Sequence, residues 1–229
     1  MFITMILTEP NIYSCPHCES FISRFNWMSA NSFDGIFYSD NKAIFPHYPE
    51  VPDLTKCYNC NSFLWLSKIP KIELPENLRK EAELKSKEAE FLSIEDLFEA
   101  METGFIEKDE IFFVRNCIWH SYNDRIRGGN GKLFEDQIDE IMWKENLEEL
   151  KKLFDPTNQY HILLTAEIER NLNNFNAAIL LLNIVTDEDL QTIKLQILEA
   201  CKNGNSMVFE LESTQTNNID SEDSVPVED

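Results

Sequence analysis

The chain has 229 residues, enough to bury a sizeable core as one large domain or two small ones. Its 43% hydrophobic and 27% charged content is ordinary for a globular protein, but 20 Lys and Arg face 41 Asp and Glu, a formal charge of −21. That excess repels phosphate backbones, so nucleic acid is an improbable partner and a basic protein a better one.

Residues 1–10 carry no basic residue ahead of their apolar run, which Glu9 and Pro10 end early, and no small-residue cleavage site follows. They read as a strand or anchoring segment of the first module rather than a signal peptide. The most apolar later stretch, Ala177–Val185, is half the length of a membrane span, so no membrane association is expected. The expected home is the cytoplasm, where stable disulfides are disfavoured.

Cys15-Pro16-His17-Cys18 is the first chemistry-bearing motif. It matches the active-site tetrapeptide of periplasmic thiol oxidases, in which a cysteine of depressed pKa attacks other thiols. A second pair, Cys57-Tyr58-Asn59-Cys60, follows after 38 residues. Two Cys-x-x-Cys turns supply the four thiolates of a tetrahedral metal site without any other residue, and zinc is the commonest occupant, with iron the alternative. His17 and His47 are substitutes the site does not need. Between the pairs, Phe33–Tyr38 and Ala43–Phe45 flank the turn Ser39-Asp40-Asn41-Lys42, a hairpin pattern. The prolines at 46, 49 and 52 impose an extended path, and Phe63–Leu66 reads as a last strand closed by Pro70. Knuckle, hairpin, knuckle and strand resemble a zinc ribbon over about the first 70 residues. The aromatics of this region suit a small core better than base stacking, because only Arg24, Lys42, Lys56 and Lys68 are basic.

Residues 1–70 carry a net −2 and residues 71–229 the remaining −19, a composition shift that marks a second region. Glu76–Lys85 reads as a charged, solvated linker helix. Ser93 with Asp96 signals a helix N-cap and Gly104 a stop, giving a helix over Ile94–Thr103. Ile111, Val114, Ile118 and Tyr122 share one face of a helix over Lys108–Arg127. Phe134, Ile138, Ile141 and Met142 begin another stripe, continued by Leu147, Leu150 and Phe154 to the stop at Asp155-Pro156. From Tyr160 the chain resembles a tetratricopeptide repeat: Ala166, a turn at Asn173-Asn174, Phe175 and Ala178, with Asn173 at the usual turn glycine and Glu169 at the usual first-helix aromatic. Thr186 with Asp189 caps a last helix to about Lys202, stopped by Gly204. Thr214–Ser224 is polar and acidic, with the composition of a disordered tail.

No catalytic constellation emerges. His120, Ser121 and Asp124 fall within two turns of one helix, where His120 and Asp124 could hydrogen-bond, but a nucleophile–base–orienter set draws on separate elements. Cys117 and Cys201 lie in predicted helices as packing residues. Gly128-Gly129-Asn130-Gly131-Lys132 follows a helix rather than a strand, unlike a phosphate loop.

The expected fold is therefore α+β: a zinc-ribbon-like metal module over 1–70, a charged linker helix over 71–92, an all-α TPR-like domain over 93–205 and an acidic tail over 206–229. The layout resembles poorly characterised bacterial zinc-ribbon proteins. It implies a non-enzymatic scaffold or protein-interaction protein holding one structural Zn2+ through Cys15, Cys18, Cys57 and Cys60. A thiol–disulfide protein using Cys15 and Cys18, and an acidic immunity-type inhibitor masking a basic partner, are the alternatives.

Overall fold

The computed structural model describes residues 6–29, 34–48, 50–129 and 131–212, and expectations that fall on other positions lie outside the described residues. The layout is α+β, with short strands ahead of seven α-helices among the described residues. Strand β1 (Ile6–Leu7) is followed by β2 (Asn11–Ser14), β3 (Phe21–Arg24), β4 (Trp27–Ser29), β5 (Ile36–Phe37), β6 (Ala43–Ile44), β7 (Leu54–Lys56) and β8 (Phe63–Trp65). They pair antiparallel as β1 with β4, β2 with β3, β5 with β6, and β7 with β8.

Strand β8 shows why these strands and the helices form one body. Side chains alternate across a strand, and all three residues of β8 are buried. Leu64 packs with Tyr13, Ile22 and the cysteines, whereas Phe63 and Trp65 join the helical core around Val114, Ile118, Trp119, Trp143 and Leu147. A domain boundary at residue 70 would cut this core. Lys56 strengthens the seam, its ammonium 2.7 Å from Asp96 Oδ1 and 2.8 Å from Glu99 Oε2.

The charged segment after Pro75 forms a helix as expected, α1 (Glu76–Lys85), but it is not a free linker. Ala82 is buried, and Arg79 reaches Glu9 and the Pro10 carbonyl. Beyond it, β9 (Lys87–Glu88) adds to β3 as a parallel strand, and Ala89 enters the core around the cysteines. Only a long-range pairing holds Lys87–Glu88 extended, so no local pattern announces it.

Helix α2 (Ile94–Glu102) starts where expected, with Ser93 Oγ accepting from the Asp96 N–H at 3.1 Å, and Gly104 takes the left-handed conformation at its end. Helix α3 (Ile111–Arg127) buries Val114, Ile118 and Tyr122, the expected face. In helix α4 (Gln137–Lys151) the expected Leu147 and Leu150 are buried, but the start of the expected stripe is not. Ile138 and Ile141 are exposed, and the buried stripe is Trp143, Asn146, Leu147 and Leu150. Asp136 caps the helix, and the large Trp143 ring against Phe134 sets its rotation.

Helices α5 (Gln159–Asn171) and α6 (Phe175–Ile184) form an antiparallel pair. Ala166 and Ala178 are fully buried between them, and Asn173 adopts φ 64° in the turn. Asn tolerates this region better than other side chains, which explains why it substitutes for glycine there. A single 3-10 turn, Glu188–Leu190, precedes α7 (Gln191–Lys202). Its cap is Asp187, which accepts from the Asp189 N–H at 3.0 Å, rather than Thr186, whose N–H instead donates to Gln159.

The start of the expected tail is ordered by a buried cation. Glu167 and Arg170 form an ion pair with both side chains fully buried. Arg170 also donates to the carbonyls of Asn205 and Met207 and to Ser39 Oγ, and its guanidinium covers the Phe209 ring. Residues 209–211 then line up along β5, with Ser39 N–H donating to Phe209 O and Leu211 N–H to Phe37 O. No described helix is long and apolar enough to cross a membrane.

Candidate metal centre

The two Cys-x-x-Cys turns occupy equivalent places in two equivalent hairpins. In β2–β3 the register pairs Ser14 with Phe21 around the first turn, and in β7–β8 it pairs Lys56 with Phe63 around the second. Each turn is closed by the same bonds. Glu19 N–H donates to Cys15 O and Cys15 N–H to Ser20 O, as Asn61 N–H does to Cys57 O and Cys57 N–H to Ser62 O, all at 2.8–2.9 Å. Glu19 and Asn61 both have positive φ, 61° and 58°, which folds the chain back so that both thiols of a turn point the same way.

The four sulfurs converge. All lie within 4.8 Å of one another, with Cys15 Sγ 3.7 Å from Cys60 Sγ and Cys18 Sγ 3.6 Å from Cys57 Sγ. A tetrahedral thiolate site with metal–sulfur bonds of about 2.3 Å needs sulfur–sulfur edges of about 3.8 Å. A disulfide would need about 2.05 Å. All six cysteines are free thiols. The arrangement fits one metal ion.

Electrostatics divide the four ligands into two kinds. Cys15 and Cys57 are fully buried, and desolvation pushes the Cys15 thiol up to about 12 and the Cys57 thiol upward too. Their sulfurs accept backbone N–H bonds from His17 and Cys18 and from Asn59 and Cys60. Cys18 and Cys60 are half-buried and lowered, Cys18 to about 5, first by the hydroxyls of Ser20 and Ser62, which lie 3.2 Å and 3.3 Å from Sγ. Ion binding then displaces protons from the inner thiols against their desolvation, while the outer pair releases its protons more readily.

No family model, curated protein or solved structure matches the chain. The site rests on its own geometry.

Ser20 and Ser62 are the functional residues not anticipated above. Their signal was present: both turns read Cys-x-x-Cys-x-Ser-Phe, at Cys15–Phe21 and Cys57–Phe63, an internal repeat with a 42-residue offset. Replacing either serine with alanine is expected to weaken metal affinity about tenfold, the lower end of such outer contacts, measured by competition with a chromophoric chelator. Unchanged affinity in the double variant would remove the serines from the site. His17 and His47 are exposed, and neither joins the cysteine cluster.

In the His120–Asp124 cluster the two side chains have other partners, and the cluster latches the β5–β6 turn onto α3. Asp40, at the tip of the β5–β6 turn, is fully buried against α3. Its carboxylate binds the Arg127 guanidinium and accepts from Asn123 Nδ2 at 2.7 Å, while its carbonyl accepts from His120 Nε2 at 3.0 Å. Asp124 is held by Arg127 and by Lys42 at 2.6 Å. The spacer hairpin therefore docks on the helices, not between the knuckles. Burial alone would raise the Asp40 carboxyl, but the charges of His120 and Arg127 and the bonds from Arg127 and Asn123 hold it below the usual range. Desolvation lowers His120, so the folded state disfavours its imidazolium.

The two signs agree. Below about pH 6.5 the unfolded chain takes up a proton that folded His120 resists, and Asp40's contribution, present above about pH 3.9, is lost as pH falls through its lowered folded value. Amide protection factors in residues 36–44 are expected to fall between about pH 7.5 and pH 5, after division by the intrinsic rates, and His120→Asn to remove most of that change. Equal protection factors at both pH values would contradict the latch.

Proposed function

We propose that the chain is a non-enzymatic, zinc-stabilised protein-interaction protein of a reducing compartment such as the cytoplasm. The carrying observation is the closed ligand set: four thiolates from two matched knuckles leave no coordination position for substrate, the property of structural rather than catalytic zinc sites. The knuckle pair is zinc-ribbon-like, and the α5–α6 pair, with Ala166 and Ala178 buried in one core and Asn173 in its turn, is TPR-like. Iron fits the same sulfurs.

The thiol–disulfide alternative is less well supported. It needs Cys15 or Cys18 as an attacking thiolate and a bond between them, yet Cys15 is fully buried and each of the two sulfurs lies 3.6–3.7 Å from a sulfur of the other knuckle. The inhibitor alternative rests on the charge of −21 and is a special case of partner binding.

The test is to measure metal content and insulin-disulfide reduction on one preparation purified under reducing conditions. The proposal expects one zinc per chain and no reductase activity above buffer. Metal-free protein that reduces insulin, with loss on Cys18→Ser, would replace it with the redox reading.

A further inference from the structure

Away from the cysteines, a cleft of about 730 Å³ lies where the β5–β6 hairpin and residues 210–212 meet α5 and α7. That size falls in the range of ligand pockets, and the junction of distant chain segments is a common place for one. Its floor is apolar, formed by Ile36, Leu163, Leu164, Ile193 and Leu211. Its rim carries the exposed carboxylates of Asp189, Glu210 and Glu212, none of which forms an ion pair among the described residues. Lys42 is the cation at the cleft, and its ammonium is already 2.6 Å from Asp124. An apolar floor beneath uncompensated negative charge selects an occupant with apolar side chains flanked by cations.

Charge decides between occupants. Residues 213–229 of the same chain contain five Asp and Glu and no Lys or Arg, and a second copy brings a charge of −21. Like charge disfavours both. A cationic segment gains at the rim, and its apolar side chains gain on the floor. We propose that this cleft is the docking site for a partner and takes a short basic peptide segment that inserts apolar side chains between the hairpin and α7. The proposal rests on the protein-interaction reading above and gives that reading a place and a ligand chemistry.

The probe is a fluorescein-labelled, amidated Lys-Leu-Lys-Phe-Lys-Leu-Lys peptide, titrated by anisotropy against the full metal-loaded chain. Saturable binding is expected, and none is expected for the Glu-for-Lys counterpart. The triple variant Asp189→Asn, Glu210→Gln, Glu212→Gln is expected to weaken binding about tenfold, from three rim charges of modest individual effect. Thr192→Trp, which fills the cleft without touching charge, is expected to reduce it at least as much. A control triple at exposed sites elsewhere, Glu88→Gln, Asp109→Asn, Glu145→Gln, is expected to stay within about twofold, the size of a weak surface effect. Equal losses in the two triples would assign binding to general acidity and overturn the proposal, as would no saturable binding or an unaffected Thr192→Trp. Zinc content measured on the same samples separates the two claims. Retained zinc without peptide binding sinks the docking site alone, whereas absent zinc and a disulfide-exchanging thiol sink the reading beneath it.

Discussion

Replacing Cys57 with serine is expected to release the metal ion and unfold the N-terminal hairpins, and chelation of the wild-type protein to do the same. The core around the cysteines is small: Tyr13, Ile22, Leu64, Leu66 and Ala89 are its buried members beside Cys15 and Cys57. The paired strands are two to four residues long, too short to persist without a cross-link. Structural zinc contributes about 10–16 kcal/mol of apparent binding energy in small metal-dependent folds at neutral pH, and an ion held by these four sulfurs is expected to return most of that as folding energy. The loss reaches further than the hairpins, because Phe63 and Trp65 leave the helical core with β8. Far-UV circular dichroism and tryptophan fluorescence should therefore both change, and re-addition of zinc should restore wild type but not Cys57→Ser. A chelated protein that melts as before would show the cysteines to be dispensable.

The second large effect belongs to Arg170. Its guanidinium and the Glu167 carboxylate are both fully buried, and the arginine joins Ser39, Asn205, Met207 and Phe209 to one point on α5. Asn171 extends the network, donating to Ser206 O at 3.0 Å and accepting from Trp119 Nε1 at 2.9 Å. Arg170→Met leaves Glu167 charged, buried and without its cation, which costs about 3–5 kcal/mol. For a chain of this length that lowers the melting temperature by about 10 °C. Removing both charges in Glu167→Leu, Arg170→Met is expected to recover much of the loss, although the bonds to 205–207 stay broken. A single variant within about 2 °C of wild type, a shift of less than 1 kcal/mol, would show the pair to be unimportant.

What the sequence made legible were features set by a few neighbouring residues. The ligand set follows from two Cys-x-x-Cys turns, the α2 start from Ser93 and Asp96, and the α5–α6 turn from Asn173 between two small-residue helices. The hairpin at residues 39–42 was legible as a turn but not as a latch, since Asp40 finds Arg127 across 87 positions. Distance in sequence hid the rest in the same way. β9 is a strand because β3 accepts it, and residues 205–207 are held because Arg170 and Asn171 bond their carbonyls. Nor does any local pattern say that Phe63 and Trp65 serve one core and Leu64 another. Ile138 and Ile141 misled for a related reason: periodicity finds an apolar face, but the Trp143 ring determined which face of α4 was buried. The repeated serine was the exception, a short-range signal visible only when the two knuckles are aligned.

The central claim is that Cys15, Cys18, Cys57 and Cys60 together hold one structural ion. X-ray absorption at the metal edge, on protein purified under reducing conditions, tests this most directly. The account predicts one ion per chain with four sulfur neighbours at about 2.3 Å and no nitrogen. A shell with fewer sulfurs, a histidine nitrogen from His17 or His47, or metal-free protein containing a Cys15–Cys18 disulfide would contradict it.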